Sequence, residues 1–304
     1  MIDHLHIKNF MCFKELEIPT LKRVNLIAGK NNAGKTTLLD AIRILWSNWS
    51  SAVINQILDK RKVFIKGSQK SYKNLLNYKV DYENKPEFIL SGLLTKSNGI
   101  KKSTSNEGEM YDPNILIEHP PENLVYVSFN SNFNTLSSLW EKVALTDYEE
   151  DVYEILKETI QPDLVRLNVG REVVNVRLEN TDKPVPLSTL GDGVNRILLI
   201  ALSLVNAKDS ILLIDELELG LHYSALEKLW NMIFKYAQKW NIQVFATTHS
   251  QDVLRTFHYV SDDDKYINDA QYIRLQINRK GENEAIIFDG ERLRETLDLQ
   301  LEIR

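Results

Sequence analysis

The residues that most constrain this 304-residue chain lie near its amino terminus, between Gly29 and Thr37. Their sequence, Gly-Lys-Asn-Asn-Ala-Gly-Lys-Thr-Thr, fits the phosphate-binding loop pattern G-x-x-x-x-G-K-S/T. The apolar run 24–28 predicts a buried strand before the loop, and apolar residues at helical spacing between Leu38 and Trp49 predict a helix after it. This order of elements predicts a phosphate-binding site. A chance glycine turn before a helix is the alternative.

The chemistry of such a loop gives its later residues candidate roles. Backbone N–H groups point inward at a phosphate, at the positive end of the following helix. Lys35 would meet the β- and γ-phosphates, and the Thr36 hydroxyl would bind Mg²⁺. The candidate nucleotide-binding residues are Asn31, Asn32, Ala33, Gly34, Lys35, Thr36 and Thr37.

The composition is that of an ordinary globular protein, with 26% charged and 43% hydrophobic residues. A single cysteine, Cys12, excludes an internal disulfide framework and suits a reducing compartment. The polar N-terminus lacks the pattern of a signal peptide, and no apolar run approaches the ~18 residues of a spanning helix. We therefore expect a soluble cytoplasmic protein with no membrane association.

Charge is distributed unevenly along the chain, whose net charge is −5. Residues 59–109 carry 11 Lys or Arg against 6 Asp or Glu. This local excess makes residues 60–102 the candidate surface for contact with DNA or RNA. A lysine-rich, solvent-exposed surface without a ligand is the alternative.

The N-terminal segment carries a family resemblance. Alternating apolar residues in 2–13, followed by Leu16–Ile18, predict a small antiparallel sheet. Ile7-Lys8-Asn9-Phe10, followed closely by residues 25–37, resembles the opening of ABC-type ATPases of the SMC/RecF/OLD group.

A second motif, residues 187–196, resembles the ABC signature motif in the Gly-Asp-Gly form of the OLD-type group. In ABC ATPases this motif contacts the nucleotide held by the other subunit, so the resemblance implies a homodimer, or a higher even-numbered assembly, joined through ATP. Gly193 is the candidate residue facing the γ-phosphate in trans, and Ser188 is the competing choice. A glycine that merely begins a core helix is the alternative.

A third motif, residues 211–216, is an apolar strand ending in two carboxylates, as in the Walker B element. Asp215 would hold Mg²⁺, and Glu216 would polarise the water that attacks the γ-phosphate. Such a short pattern gains its meaning from its position downstream of a phosphate loop and a signature motif.

A fourth motif, residues 242–250, is a buried strand ending in Thr-Thr-His-Ser, and it matches the switch histidine of ABC ATPases. His249 can donate to the γ-phosphate there; an isolated histidine would otherwise be a core residue. The family also carries a glutamine after a strand like 124–129. Asn130 stands at that place, and a plain turn is the alternative.

Together the motifs predict an α/β fold: an ABC-type P-loop NTPase with a mostly parallel core sheet, N-terminal antiparallel β elements and an inserted helical lobe. The three motif strands would share that sheet, with ligands at their carboxyl ends. We expect one ABC-type ATPase domain over residues 1–304, with a variable insertion at 50–121 and a helical lobe and hairpin at 132–186. Within the insertion, 63–65 and 88–90 read as strands and 97–108 reads as a polar loop. After the insertion, 136–160 reads as helical.

The expected activity is Mg²⁺-dependent ATP hydrolysis, with Lys35, Glu216 and His249 as catalytic residues. The resemblance to OLD-type ATPases implies a role in bacterial anti-phage defence or another DNA transaction. A metal nuclease needs a cluster of acidic residues, and the three aspartates at 262–264 read as a solvated turn instead. We therefore expect any effector, such as a TOPRIM-type nuclease, to be a separate chain. A RecF-like ATPase that clamps DNA directly is the second hypothesis, and a transporter subunit is the third.

Overall fold

A computed structural model describes residues 1–47, 50–61, 87–92, 101–104, 124–128, 131–170, 172–191 and 193–288. The strands are β1 (Ile2–Phe10), β2 (Phe13–Ile18), β3 (Val24–Ala28), β4 (Glu87–Gly92), β5 (Lys101–Thr104), β6 (Val125–Val127), β7 (Leu164–Val169), β8 (Val174–Leu178), β9 (Val185–Pro186), β10 (Ile211–Ile214), β11 (Gln243–Thr248), β12 (Ala270–Ile277) and β13 (Asn283–Phe288). The helices are α1 (Lys35–Trp46), α2 (Ser51–Lys60), α3 (Phe133–Glu141), α4 (Tyr148–Thr159), α5 (Val194–Asn206), α6 (Leu226–Lys239) and α7 (Gln251–Ser261).

A six-stranded sheet forms the centre of the fold, in the order β13-β12-β3-β11-β10-β6. The pairs from β12 to β6 are parallel, and only β13 runs antiparallel to its neighbour. This confirms the predicted parallel core, in which the strands of the phosphate loop, the Asp215 motif and the His249 motif end at one edge. The loop strand β3 lies next to β11, so the His249 strand separates it from β10.

The central strands β3 and β10 are buried on both faces, which explains why their sequences are mostly apolar. Alternate residues enter two separate cores because successive side chains of a strand point to opposite faces. Leu26 and Leu212 pack against the helices α5, α6 and α7. Ile27 and Leu213 pack on the other side, against α1 and the N-terminal sheet. The site at the strand ends is therefore supported from both faces.

The N-terminal sheet is antiparallel and has the order β2-β1-β4-β5. It confirms the predicted strands at 2–13, 16–18 and 88–90. The insertion thus contributes two strands to this sheet, since β5 lies within the stretch 97–108 that was predicted as a polar loop. That prediction is wrong at Lys101–Thr104, where a polar sequence pairs with β4 as a strand at the sheet edge. The predicted strand 63–65 lies outside the described residues.

The helices near the phosphate loop differ in part from the prediction. The first helix ends at Trp46, with Ser47 as its cap, and Trp49, where the predicted helix ended, lies outside the described residues. The short helix α2 then occupies part of the insertion, where no helix was predicted. Its apolar residues Ile54, Ile57 and Leu58 are buried in the core shared with α1. Tertiary packing stabilises such a short helix, so its local sequence is a weak signal.

The region 132–186 contains helices followed by a hairpin, as predicted. The single helical stretch predicted for 136–160 is instead two helices, α3 and α4, and Leu145 between them has a positive φ of 62°. The predicted hairpin is confirmed as β7 and β8. At the other end, β12 and β13 confirm two predicted strands, whereas the predicted helix at 293–301 lies outside the described residues. Among the helices that the structure describes, none is long and apolar enough to cross a bilayer.

Candidate nucleotide-binding and hydrolysis site

The phosphate loop joins β3 to α1 and has the backbone conformations that its glycines permit. Gly34 has a φ of 99°, and a Cβ built there would lie 2.6 Å from the Phe13 ring, so the position requires glycine. Asn32 also has a positive φ, 66°. The loop is therefore shaped by its contact with the N-terminal sheet as well as by its own sequence.

The Lys35 ammonium folds back over this loop. Its Nζ donates to the carbonyl oxygens of Gly29, at 2.7 Å, and Lys30, at 3.2 Å. Burial lowers the pKa of Lys35, and the negative charges of Glu218, Asp215 and Glu216 oppose that shift. The only loop cation predicted to meet phosphate oxygens thus lies in the field of three carboxylates.

Asp215 connects the phosphate loop to the other two motif strands. Its Oδ1 accepts hydrogen bonds from the Thr36 hydroxyl at 3.1 Å and the Thr247 hydroxyl at 2.9 Å. The side chain is almost completely buried. The predicted metal ligands Thr36 and Asp215 are therefore in direct contact, although 179 residues separate them in sequence.

Glu216 follows Asp215 in a left-handed backbone conformation, with a φ of 53°. This conformation is costly for a non-glycine residue and needs support from its surroundings. The Glu216 N–H donates to Thr247 Oγ1 at 2.9 Å, and its carbonyl oxygen accepts from the Arg196 guanidinium at 3.0 Å. Arg196 lies on α5, so the helix after the signature motif fixes the orientation of the Asp215–Glu216 turn.

His249 lies at the end of β11, and its side chain is about half exposed. Glu218 holds this end of the strand: its carboxylate accepts from the Thr248 hydroxyl at 2.8 Å and from the His249 N–H at 3.0 Å. His249 Nδ1 is 3.5 Å from the same carboxylate. Glu218 stands two residues after Glu216, and this spacing of acidic residues is the only signal for it in the sequence.

Lys60 and Arg61, which were predicted to belong to a nucleic-acid surface, instead lie against this site. The Lys60 ammonium is 3.3 Å from Asp215 Oδ2. Arg61 pairs with the buried Asp40 at 2.7 Å and donates to the Thr37 hydroxyl at 3.1 Å. Helix α2 returns these two residues to α1 and the strand ends, and contact of residues 60–102 with nucleic acid stays a prediction. Lys62 and Lys66 lie outside the described residues.

The signature segment begins with a 3-10 turn over Leu187–Leu190 and continues into α5. Gly193 begins that helix with a φ of 85°, and a Cβ there would lie 2.6 Å from the Gly220 carbonyl oxygen. This packing within the chain is sufficient to require glycine. Ser188 is exposed. Asn130 lies outside the described residues.

The donor set around Asp215 fits a magnesium ion. Mg²⁺ takes oxygen ligands and is commonly held by one or two carboxylates together with substrate phosphates. Thr36 and Asp215 supply a hydroxyl and a carboxylate at one point beside the phosphate loop. Within the part of the chain that the structure describes, no group of three His, Cys, Asp or Glu side chains forms a metal site by itself. A site completed by phosphate oxygens needs no such group.

Comparisons of the sequence with known proteins identify a family. Residues 24–255 match the protein family described as "AAA domain, putative AbiEii toxin, Type IV TA system". An ATP/GTP phosphatase of Helicobacter pylori is 22% identical over 375 residues, covering 95% of this chain and 100% of that protein. The DNA replication and repair protein RecF of Nitrosococcus oceani is 46% identical over only 44 residues, 14% of this chain and 12% of that protein.

Solved structures share the fold at low sequence identity. The SMC head domain from Thermotoga maritima has a TM-score of 0.56 and 14% identity, covering 94% of this chain and 98% of that one. An SMC head bound to the C-terminal winged-helix domain of ScpA has a TM-score of 0.58 and 12% identity, covering 97% and 99%. The fold and the site therefore define an ABC-type ATPase of the SMC and RecF group.

Within that class, the chain belongs to the AAA domain family that its residues 24–255 match. It is accordingly an ATPase.

Proposed function

We propose that this chain is a Mg²⁺-dependent, ATP-hydrolysing switch that dimerises through ATP and controls a separate effector protein. The observation that carries this proposal is the contact of Thr36, Asp215 and Thr247, which joins the phosphate loop to the strands of both carboxylates and the histidine. Binding of ATP at this junction would therefore affect the ends of all three strands together.

Each side chain has a role in hydrolysis under this proposal. Lys35 would bind the β- and γ-phosphates, and Thr36 and Asp215 would hold Mg²⁺, which neutralises phosphate charge when bound. Glu216 would accept a proton from the attacking water. His249 would donate to the γ-phosphate. The His249 side chain is half exposed, so a bound nucleotide could contact it directly.

The proposed dimer is supported by the class of fold and by the exposed signature segment. Ser188 and the Gly191 backbone lie at the surface before α5, where a nucleotide held by a second copy can reach them. Arg196 provides a physical link from that segment to Glu216. Contact of the signature segment with a nucleotide held by the second copy would therefore affect the orientation of the Glu216 carboxylate.

A role in anti-phage defence, with a nuclease or other effector as a separate chain, is the leading biological hypothesis. Its support is the family match, whose description refers to a toxin–antitoxin system. A RecF-like DNA clamp is the alternative, supported by the short match to RecF. Salt-dependent binding of duplex DNA by the isolated protein would favour that alternative. Lys60 and Arg61 are already paired with Asp215 and Asp40, so we expect such a surface to use other basic residues as well.

The test of the switch uses Glu216→Gln, which removes the proposed proton acceptor and leaves the proposed metal ligands in place. With ATP and Mg²⁺ this variant should bind nucleotide, hydrolyse it very slowly and shift to a dimer or higher even-numbered assembly. Light scattering and single-turnover hydrolysis measure the two properties. Normal turnover would rule out Glu216 as the base, and a mass unaffected by ATP would rule out the ATP-driven dimer.

A further inference from the structure

The Lys60 ammonium lies on the carboxylate that we propose for magnesium. Its Nζ is 3.3 Å from Asp215 Oδ2 and 2.7 Å from the Tyr126 hydroxyl oxygen. The Tyr126 hydroxyl is itself 3.3 Å from the same carboxylate oxygen. A cation and a neutral donor therefore meet at one oxygen atom.

The same oxygen also faces the phosphate loop, because the Thr36 hydroxyl is 3.3 Å from Asp215 Oδ2. Lys60 thus shares its carboxylate with the other proposed magnesium ligand. Asp215 is only 1% exposed, so water screens charges around it poorly, and two cations held there would repel each other strongly. An ammonium and a divalent cation should therefore compete for this carboxylate.

Neighbouring contacts allow Lys60 to leave without unfolding α2. Arg61, the next residue, is tied to α1 through Asp40 and Thr37. The Lys60 side chain is 21% exposed, so part of it reaches solvent. Rotation of this one side chain can therefore free the carboxylate while the end of the helix stays anchored.

We propose that Lys60 is a positioning residue of the metal site: its ammonium neutralises Asp215 in the metal-free protein and leaves when Mg²⁺ enters with the nucleotide. This inference rests on the proposed Mg²⁺-dependent function. It predicts that Lys60 sets the Mg²⁺ concentration needed for nucleotide binding. It also predicts that Lys60 stabilises the protein when no divalent metal is present, since the buried carboxylate would otherwise lose its ion pair at 3.3 Å and keep only the charges of Lys35 and Arg196.

The experiment compares the wild type with Lys60→Met and Lys60→Arg. Calorimetry with a non-hydrolysable ATP analogue, repeated over a series of MgCl₂ concentrations, gives the half-saturating Mg²⁺ concentration for each protein. Lys60→Met should lower this concentration about tenfold and should lower the melting temperature in EDTA by several degrees. Lys60→Arg keeps the charge and should resemble the wild type. Lys228→Met, at an exposed position on α6, is the matched control and should change neither property.

A second variant covers the case in which Lys60→Met does not fold. Tyr126→Phe removes the hydroxyl that holds the ammonium at Asp215, and it should lower the half-saturating Mg²⁺ concentration by a smaller factor. An unchanged or raised Mg²⁺ requirement in each of these variants that folds, with a Mg²⁺-dependent wild type, would overturn the inference alone. Nucleotide binding by the wild type that is indifferent to Mg²⁺ would overturn both the inference and the proposed metal-dependent function.

Discussion

The Glu218 carboxylate accepts a hydrogen bond from the backbone N–H of His249 across 3.0 Å. The two residues belong to different strand ends, one after β10 and the other after β11. Because these strands are adjacent and parallel, their carboxyl ends form one unit, and the acidic segment positions the histidine.

Glu218→Gln should impair turnover more than nucleotide binding. The change removes the charge that receives the Thr248 and His249 hydrogen bonds, while the amide keeps the volume of the side chain. A hydrogen bond to a charged group is worth about 1.5–3 kcal/mol, so we expect kcat to fall roughly tenfold to a hundredfold. Steady-state kinetics and calorimetry separate the two effects. Glu227→Gln on α6 is the control, and equal losses in kcat and affinity would contradict a positioning role.

Lys35→Ala should weaken ATP binding by roughly a hundredfold, since it removes a cation that would make more than one charge-assisted hydrogen bond to the phosphates. Calorimetry with ATP and Mg²⁺ measures the affinity. Lys35 also holds the Gly29 and Lys30 carbonyl oxygens, so thermal melting without nucleotide must show that the loop change leaves the fold intact. An unchanged affinity for ATP would mean that residues 29–37 are not the phosphate-binding loop.

Ser188→Glu should block ATP-driven dimerisation without preventing ATP from binding to the same chain. A carboxylate at this exposed position would meet the γ-phosphate of the other subunit with like charge. Gly193 is unsuitable for this test, because any side chain there collides with Gly220 within its own chain. Light scattering of a Ser188→Glu, Glu216→Gln double variant measures the effect, and a normal ATP-dependent dimer would argue against Ser188 as a trans contact.

A mixture of chains tests the composite site directly. Lys35→Ala chains lack the nucleotide-binding half and Ser188→Glu chains lack the trans half. Mixed dimers should therefore recover about one working site each, whereas either chain alone stays inactive. ATPase assays of the separate and mixed proteins measure this recovery. Mixed dimers that form without regaining activity would count against hydrolysis in trans.

Asp40→Asn should destabilise the protein by about 3 kcal/mol, because it leaves two guanidinium groups without their buried carboxylate partner. Asp40 pairs with Arg43 at 3.4 Å and with Arg61 at 2.7 Å. Urea denaturation measures the free energy of unfolding, with the exposed Asp182→Asn as the control. A free energy of unfolding equal to that of the control would mean that the ion pairs of Asp40 do not stabilise the protein.

The local motifs predicted the elements whose conformation depends on neighbouring residues in the chain. The Gly29–Thr37 loop between a strand and a helix, and the buried strands before Asp215 and His249, have short contiguous signatures. Their common edge also followed from the sequence, since parallel strands place their carboxyl ends together. Such features depend on glycine conformations and on apolar patterns, which the sequence displays directly.

The long-range contacts of the site were decided by the tertiary structure. Lys60 stands 155 residues from Asp215. Arg196, the last residue of the signature segment, stands 20 residues from Glu216 on another element. The sequence motifs predicted neither contact. Lys60 read as a surface charge because a lysine's sequence neighbours do not show which side chains it meets. Helix α2, stabilised by packing against α1, brings that charge to the carboxylate. The amino-acid sequence by itself thus determined the phosphate loop and the strand ends, and only packing decided which cation meets Asp215, because that contact joins elements distant in the chain.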